Sequence, residues 1–314
     1  MVIGIDLGGM SAKAAVLIDG ALKGKATVPT SAEDAPELTA ENLAKIAIKA
    51  AEEAGVSFEQ ISAIGIGSPG VIDSATGTVA SWTNFNWTNV ALARLVSEHL
   101  KKPVYVLNDA NAAALGEAKF GAGTKYDDSI FITIGTGVGG GIMIGGKLFE
   151  GYKSAGAEIG HTVIRQNGEL CSCGRRGCFE RYPSTSGLIR ATKRAMEENP
   201  KSAMWKFAPT LEKAGGRTAF LAKAEGDETA QRVVNDFIAA LGEGITNLIN
   251  VLRPQAIIVG GGISNEGENL LAPLRKYMEP LIYAGFYAPV EVVRAALGND
   301  AGLYGAAAFA QERS

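Results

Sequence analysis

Two stretches of this chain share one form, and that form limits what the chain can fold into. They are VIGIDLGGMSAKAAVLIDGAL, residues 2–22, and SIFITIGTGVGGGIMIGGKLF, residues 129–149. Each sets an apolar, β-rich run before a turn of glycine and polar residues. A second apolar run follows, then a glycine-containing hairpin turn. The two differ in detail, so they are an internal pseudo-repeat and not a proven duplication. Their pattern predicts two similar α/β halves.

The intervening sequence alternates strand and helix signals. A helix is expected over about Ala40–Ala54, a strand at Ile61–Ile66, then the turn GSPGVID. A helix at Val90–Leu100 leads to a strand at Val104–Leu107, and NDANAAALGEAKFG begins another helix. Helices near Ser184–Asn199, Pro209–Ala214 and Glu228–Leu252 precede a strand at Ala256–Val259, which runs into GGGIS. The tail NDAGLYGAAAFAQE reads as a final helix. Such alternation implies a mostly parallel or mixed sheet with helical cover.

Charge and the N-terminus narrow the function classes. A formal net charge of −3 argues against a general binder of nucleic acid or membrane surface. MVIGIDLGG meets an aspartate at residue 6 and lacks the cationic and long apolar regions of a signal peptide. No apolar run approaches the roughly 20 residues that span a bilayer. The expectation is a cytoplasmic, reducing location, with no nucleic-acid or membrane partner.

The glycine turns offer phosphate chemistry. In DLGGMSAK, Gly8 and Gly9 let backbone amides approach an anion, with Ser11 and Lys13 as further donors. Asp6 ends the first strand, where it could position a hydrated magnesium ion. A plain hairpin turn with a strand-end aspartate accounts for the same residues. The P-loop spacing is absent. GTGVGGG adds Gly135, Thr136, Gly137 and Gly139. Two such runs in two halves favour one nucleotide held between them. VGGGIS, with Gly260, Gly261 and Gly262, follows a strand, and strand C-terminal ends are where α/β folds bind ligands. A tight strand-to-helix connection is the simpler alternative.

NDANAAA is the candidate for chemistry. Asp109 lies at a strand-to-helix junction, where a carboxylate could take a proton from a hydroxyl attacking a phosphoryl group. Taken alone, the motif reads more simply as a helix N-cap.

All three cysteines fall within CSCGRRGC, and His161 stands ten residues before Cys171. His161, Cys171, Cys173 and Cys178 make a closed set of one imidazole and three thiolates, suited to a tetrahedral structural Zn²⁺. This explains the odd cysteine count and Gly174 and Gly177, which let the loop wrap. Free thiols, or one disulfide plus a spare, are the alternatives. The set leaves no open coordination position, so the metal would hold the loop that carries Glu158 and Glu180, carboxylates able to bond a polyhydroxylated substrate. A solvated face is the other reading of those two. His99, late in a helix, has no assigned role.

These residues together resemble the ROK family (repressor, open reading frame, kinase), and within it the ATP-dependent glucokinases. The resemblance covers nearly the whole chain. DLGGMSAK and GTGVGGG resemble the two phosphate loops, and VGGGIS the segment lining the adenosine pocket. GIGSPGVID resembles the family turn that includes Gly70 and ends at Asp73, and TNFNW the segment whose asparagine, Asn84, contacts sugar. NDANAA implies Asp109 as general base with Asn108 at the sugar. EIGH followed by CSCGRRGCFE is the most specific signature. It implies sugar contacts at Glu158, His161 and Glu180 and zinc at His161, Cys171, Cys173 and Cys178. LGNDAGLYGAAA most suggests glucokinase among relatives. If one ring nitrogen of His161 binds zinc, the other could donate to a sugar hydroxyl.

The resemblance implies a two-lobed fold of the actin, Hsp70 and sugar-kinase type, ribonuclease H-like, with an interlobe cleft. A small lobe would span 1–108, rejoined by the last helix at about 300–314, and a larger lobe 109–299. The implied activity is transfer of the γ-phosphate of Mg·ATP to the 6-hydroxyl of glucose by a homodimer. Another hexose (N-acetylglucosamine, mannose, fructose or allose) is the nearer alternative, and a sugar-sensing regulator without kinase activity the more distant one. Such regulators add an N-terminal helix-turn-helix, and here the first strand begins at residue 2. Two departures stand out. Met10 replaces the usual threonine of the first phosphate loop and cannot donate to a phosphate oxygen. Ala157 replaces a usual glycine before Glu158, which would strain the turn if the backbone there has positive φ.

Overall fold

A computed structural model describes residues 1–314. The chain opens with three strands, β1 (Val2–Leu7), β2 (Ser11–Ile18) and β3 (Ala21–Pro29), then α1 (Pro36–Glu53) and β4 (Ala63–Ser68). Three short strands follow, β5 (Val71–Asp73), β6 (Thr78–Trp82) and β7 (Trp87–Val90), then α2 (Leu92–Leu100), β8 (Val104–Asn108) and α3 (Asp109–Phe120). The second hairpin series is β9 (Ser129–Ile134), β10 (Val138–Ile144) and β11 (Lys147–Phe149). The remainder is α4 (Thr185–Glu198), α5 (Met204–Phe207), α6 (Thr218–Ala224), α7 (Glu228–Leu252), β12 (Ala256–Gly260), α8 (Glu268–Met278), β13 (Glu291–Arg294) and α9 (Ala301–Gln311).

The pseudo-repeat is real in the sheets. One five-stranded sheet has the order β3-β2-β1-β4-β8 and the other β11-β10-β9-β12-β13. In each, a meander of three strands is extended by two that return after helices. In the first sheet β1 pairs antiparallel with β2 and parallel with β4, and β4 pairs parallel with β8. That mixed pattern needs a helical crossover before each parallel partner, and α1 and α2 occupy those positions.

Two compact units result. The first comprises Met1–Phe131, Gly141–Ala157 and Ala295–Ser314, and the second Ile132–Gly140 and Glu158–Arg294. The first unit extends past residue 108 because α3 is built into it. At Gly305 of α9, a Cβ would stand 1.6 Å from the Ala112 carbonyl oxygen of α3. The run GAAAFA in the tail is therefore small so that two helix backbones can touch. The core of this unit is the aliphatic face of its sheet, with Ile3, Ile5, Leu7, Ile64 and Ile66 fully buried.

The segment Pro209–Ala214 forms only a short 3₁₀ turn, Leu211–Lys213, and not the expected helix. The Gly215 amide donates to Thr218 Oγ1 at 2.9 Å, so Gly215 and Gly216 break the pattern and the next helix starts at Thr218.

Candidate active site

The first unit places Asp109 at the C-terminal end of β8, where the strand turns into α3. Asn108 is the N-cap: its Oδ1 accepts from the amides of Ala110 at 2.9 Å and Asn111 at 3.1 Å. The capping duty that a sequence reading can give to either residue thus falls to Asn108, and Asp109 is the first helical residue. Asn108 Nδ2 donates to the Gly70 carbonyl oxygen at 3.2 Å. Gly70 has φ +95°, and a Cβ there would stand 2.3 Å from the Ser81 carbonyl oxygen, so only glycine fits the turn.

Burial pushes the Asp109 carboxyl above its ordinary value of 3.8, against the opposing pull of backbone hydrogen bonds. Asp6 is raised for the same reason; Lys13 opposes the shift and Asp109 and Asp300 add to it. Asp6 and Lys13 face each other as register partners on β1 and β2. Two carboxylates close enough to feel each other, with one lysine beside them, suit a cation and a phosphate chain. In the adjoining turn the Gly8 carbonyl accepts from Thr30 Oγ1 at 2.7 Å, and no heavy atom lies within 4 Å of where a Gly9 Cβ would be. Met10 is 87% exposed, so no packing contact accounts for its presence in the loop. Asn84 is exposed on the 3₁₀ turn Thr83–Phe85, which a stacked Trp82–Phe85 pair with ring centroids 3.7 Å apart and the edge-on Trp87 hold in place.

Sequence reasoning missed Glu117. It is fully buried on α3, and its carboxylate accepts from the amides of Ala122 at 2.9 Å, Ala296 at 3.0 Å and Leu297 at 2.7 Å. It fastens the helix that begins at Asp109 to the segment leading into α9. An acid in the middle of an ordinary helical pattern gives no sign of this.

In the second unit, the ligand atoms of His161, Cys171, Cys173 and Cys178 all lie within 4.8 Å of one another. Cys173 and Cys178 sulfurs are 3.6 Å apart, and Cys171 Sγ is 3.7 Å from His161 Nδ1. A tetrahedron with Zn–S bonds of about 2.3 Å has edges of about 3.8 Å, so the donor set fits the ion. As a free thiol, Cys171 is pushed up to about 12 by burial and by its 3.0 Å bond to Glu180 Oε1. A coordinated cation reverses that preference. The loop is shaped by bridges between Val163 and Cys178 and between Leu170 and Arg176. Gly177, at φ +83°, has no room for a side chain: a Cβ would meet the Arg165 carbonyl oxygen at 1.7 Å.

Glu180 lies one residue beyond Phe179, which is fully buried against Gly244 of α7. A Cβ on Gly137 would stand 2.4 Å from Glu180 Oε2, so this carboxylate lies against the second glycine turn. In that turn the Gly135 amide donates to the Gly137 carbonyl at 3.0 Å, and Thr136 is exposed. The Cβ positions of Gly135 and Gly262 are both open, while Gly261 at φ +81° backs onto Ile134. Glu158 is exposed before the turn Ile159–His161, and Ala157 before it has φ +61°, a left-handed backbone with a side chain. Gly139 lies on β10 and Gly260 ends β12.

The first unit thus sets a carboxylate raised by burial near a second acid and a lysine beside a glycine turn, and the second sets a glycine turn and a thiol–imidazole cluster next to further acids. The ROK family model matches residues 2–313. This chain belongs to the ROK family. It is 36% identical to a glucokinase of Thermotoga maritima, over 99% of this chain and 97% of that one. It is 38% identical to a glucokinase of Streptomyces coelicolor, over 99% of this chain and 98% of that one. Its fold matches the crystal structure of a ROK family glucokinase from Streptomyces griseus in complex with glucose and AMPPNP. The TM-score is 0.83 and the identity 36%, over 99% of each chain. The fold is accordingly that of the ROK sugar kinases.

Proposed function

We propose that this chain is an ATP-dependent glucokinase that phosphorylates the 6-hydroxyl of glucose with Asp109 as general base. The observation that carries the reading is Asp109 itself. Its carboxyl is desolvated and raised, and Asn108 relieves it of capping. A base with a raised pKa takes a hydroxyl proton more readily than an ordinary aspartate. Gly70, Asn84, Asn108, Glu158, His161 and Glu180 hold the sugar. Asn108 keeps one amide hydrogen for this after its bond to Gly70.

Mg·ATP supplies the γ-phosphoryl group and the charge neutralisation its transfer needs. Asp6 would hold the magnesium through its waters. Gly8, Gly9, Ser11, Lys13, Gly135, Thr136, Gly137 and Gly139 would hold phosphates, and Gly260, Gly261 and Gly262 the adenosine. His161, Cys171, Cys173 and Cys178 would hold a structural zinc. Nδ1 is the imidazole nitrogen beside Cys171, which leaves Nε2 for a sugar hydroxyl. Zinc then fixes the tautomer through which His161 reads the sugar.

Val251, Tyr283, Phe286 and Tyr287 are each at least 80% exposed and support a homodimer. No helix is long and apolar enough to cross a membrane.

Asp109→Asn tests the reading. Turnover should fall by about 10²–10⁴-fold, the usual contribution of a positioned general base, while calorimetry still detects glucose binding. Near-normal turnover in this variant would refute the mechanism.

A further inference from the structure

The second unit contains a cavity of about 360 Å³ whose lining includes no glycine-turn residue and none of His161, Cys171, Cys173 and Cys178. Its wall carries five arginines, Arg165, Arg181, Arg190, Arg194 and Arg232, against three acids, Glu169, Glu198 and Asp236. Five positive against three negative leaves the wall at +2. One acid is already committed, since Arg194 Nη2 donates to Glu169 at 2.9 Å.

Glu169 pairs with Arg194 and also acts on Arg181 and Arg190, so one carboxylate is shared among three guanidinium groups. Arg181 Nε is buried and has no hydrogen-bond partner. A buried donor without an acceptor is destabilising unless something fills the place. Arg190 donates to the carbonyl oxygens of Arg181 and Ser186, partners that carry no charge. Its guanidinium is held below the ordinary arginine value by burial; Arg181 and Arg194 add to that by repulsion, and Glu169 opposes it. Arg232 donates to Thr229 Oγ1 at 3.1 Å, again a neutral partner. The Arg165 guanidinium lies over the Tyr182 ring, 4.4 Å from its centroid. Guanidinium groups crowded at the wall of one concavity, with an orphaned N–H among them, are complementary to a phosphate group.

We propose that this cavity is a binding site for a small phosphorylated metabolite, separate from the ATP and sugar sites. The volume suits a phosphate monoester on a short carbon skeleton, within the range of small-molecule sites. The position allows it to remain open in an assembled protein. Thr229, Arg232 and Asp236 lie near the N-terminus of α7, whereas the exposed Val251 lies near its C-terminus. Between residues 236 and 251 the helix rises about 22 Å.

The test is calorimetric titration of 3-phosphoglycerate into the protein already saturated with glucose and AMPPNP, which occupies the other anion sites. One site per chain with Kd below about 1 mM is expected, weakening as salt is raised. Arg190→Gln and Arg232→Gln should each weaken it by about tenfold or more. Arg232 is exposed and bonds only a neighbouring hydroxyl, so its replacement leaves the fold and the basal turnover with glucose unchanged. Absence of binding to the wild-type protein, or equal binding to the folded Arg232→Gln and Arg190→Gln variants, would overturn the proposal.

Discussion

At the scale of single residues, the role proposed for Asp109 sets function against stability. Its carboxyl is raised from 3.8 by burial, so the native state binds its proton more tightly than the unfolded chain does. The stability this proton contributes is fully present below the unfolded value and is lost as pH rises through the native one. At neutral pH the fold therefore carries the cost of a desolvated charge. Asp109→Asn should melt at a higher temperature than wild type at neutral pH, and the difference should shrink towards pH 3.8; a scan of melting temperature against pH measures it. On the proposed mechanism the same shift sets the acid limb of kcat/KM, which should lie above the ordinary aspartate range, because a general base works only when deprotonated. Ala157 shows a second such tension. At φ +61° an alanine costs about 1 kcal/mol relative to glycine. Ala157→Gly should raise stability to denaturant by about that amount; a loss of stability would show that the turn is not strained. The alanine was legible as a departure from its family, and the strain depended on a backbone angle that only the fold supplies.

At the scale of elements, the reading from sequence succeeded where local chemistry decides and failed where distant partners decide. Helix α7 runs over Glu228–Leu252 as its apolar period and Asp227 cap dictate. The clustering of His161 with the three cysteines was legible because these residues are few and close in sequence. Glu117 was not, because two of its three amide partners lie about 180 residues away. Helix α8 contains Pro273, a residue that argues against a helix until tertiary packing overrides it. The role of Asn108 was only half legible. Its type suits a cap or a sugar contact, and the two bonds from Ala110 and Asn111 commit its oxygen to capping. Glu117→Gln leaves one oxygen to accept three amides, and it should destabilise the protein by about 2–3 kcal/mol in urea unfolding. In the cysteine loop, Cys173→Ser should abolish stoichiometric zinc and raise KM for glucose or lower the melting temperature. A zinc-free, fully active Cys173→Ser protein would contradict the structural role of the metal.

At the scale of the whole molecule, one architecture is used twice, as a meander extended by two strands in each five-stranded sheet. Each series supplies a glycine turn at the same topological place, between its first two strands. The first unit adds Asp6 and Asp109 to its turn, and the second adds the cysteine loop, Glu158, His161 and Glu180. On the proposed mechanism the first unit carries the base with Gly70, Asn84 and Asn108, and the second carries Glu158, His161 and Glu180. Fold and family were legible because motifs mark both halves. Sugar preference was not, since the orientation of one hydroxyl separates the candidate hexoses. The most direct measurement is ADP release by zinc-replete protein with Mg·ATP, with glucose, N-acetylglucosamine, mannose, fructose, allose or no sugar. Strong release with glucose and little without sugar is the predicted result. Sugar-independent release, or no release with any of these hexoses, would contradict the account.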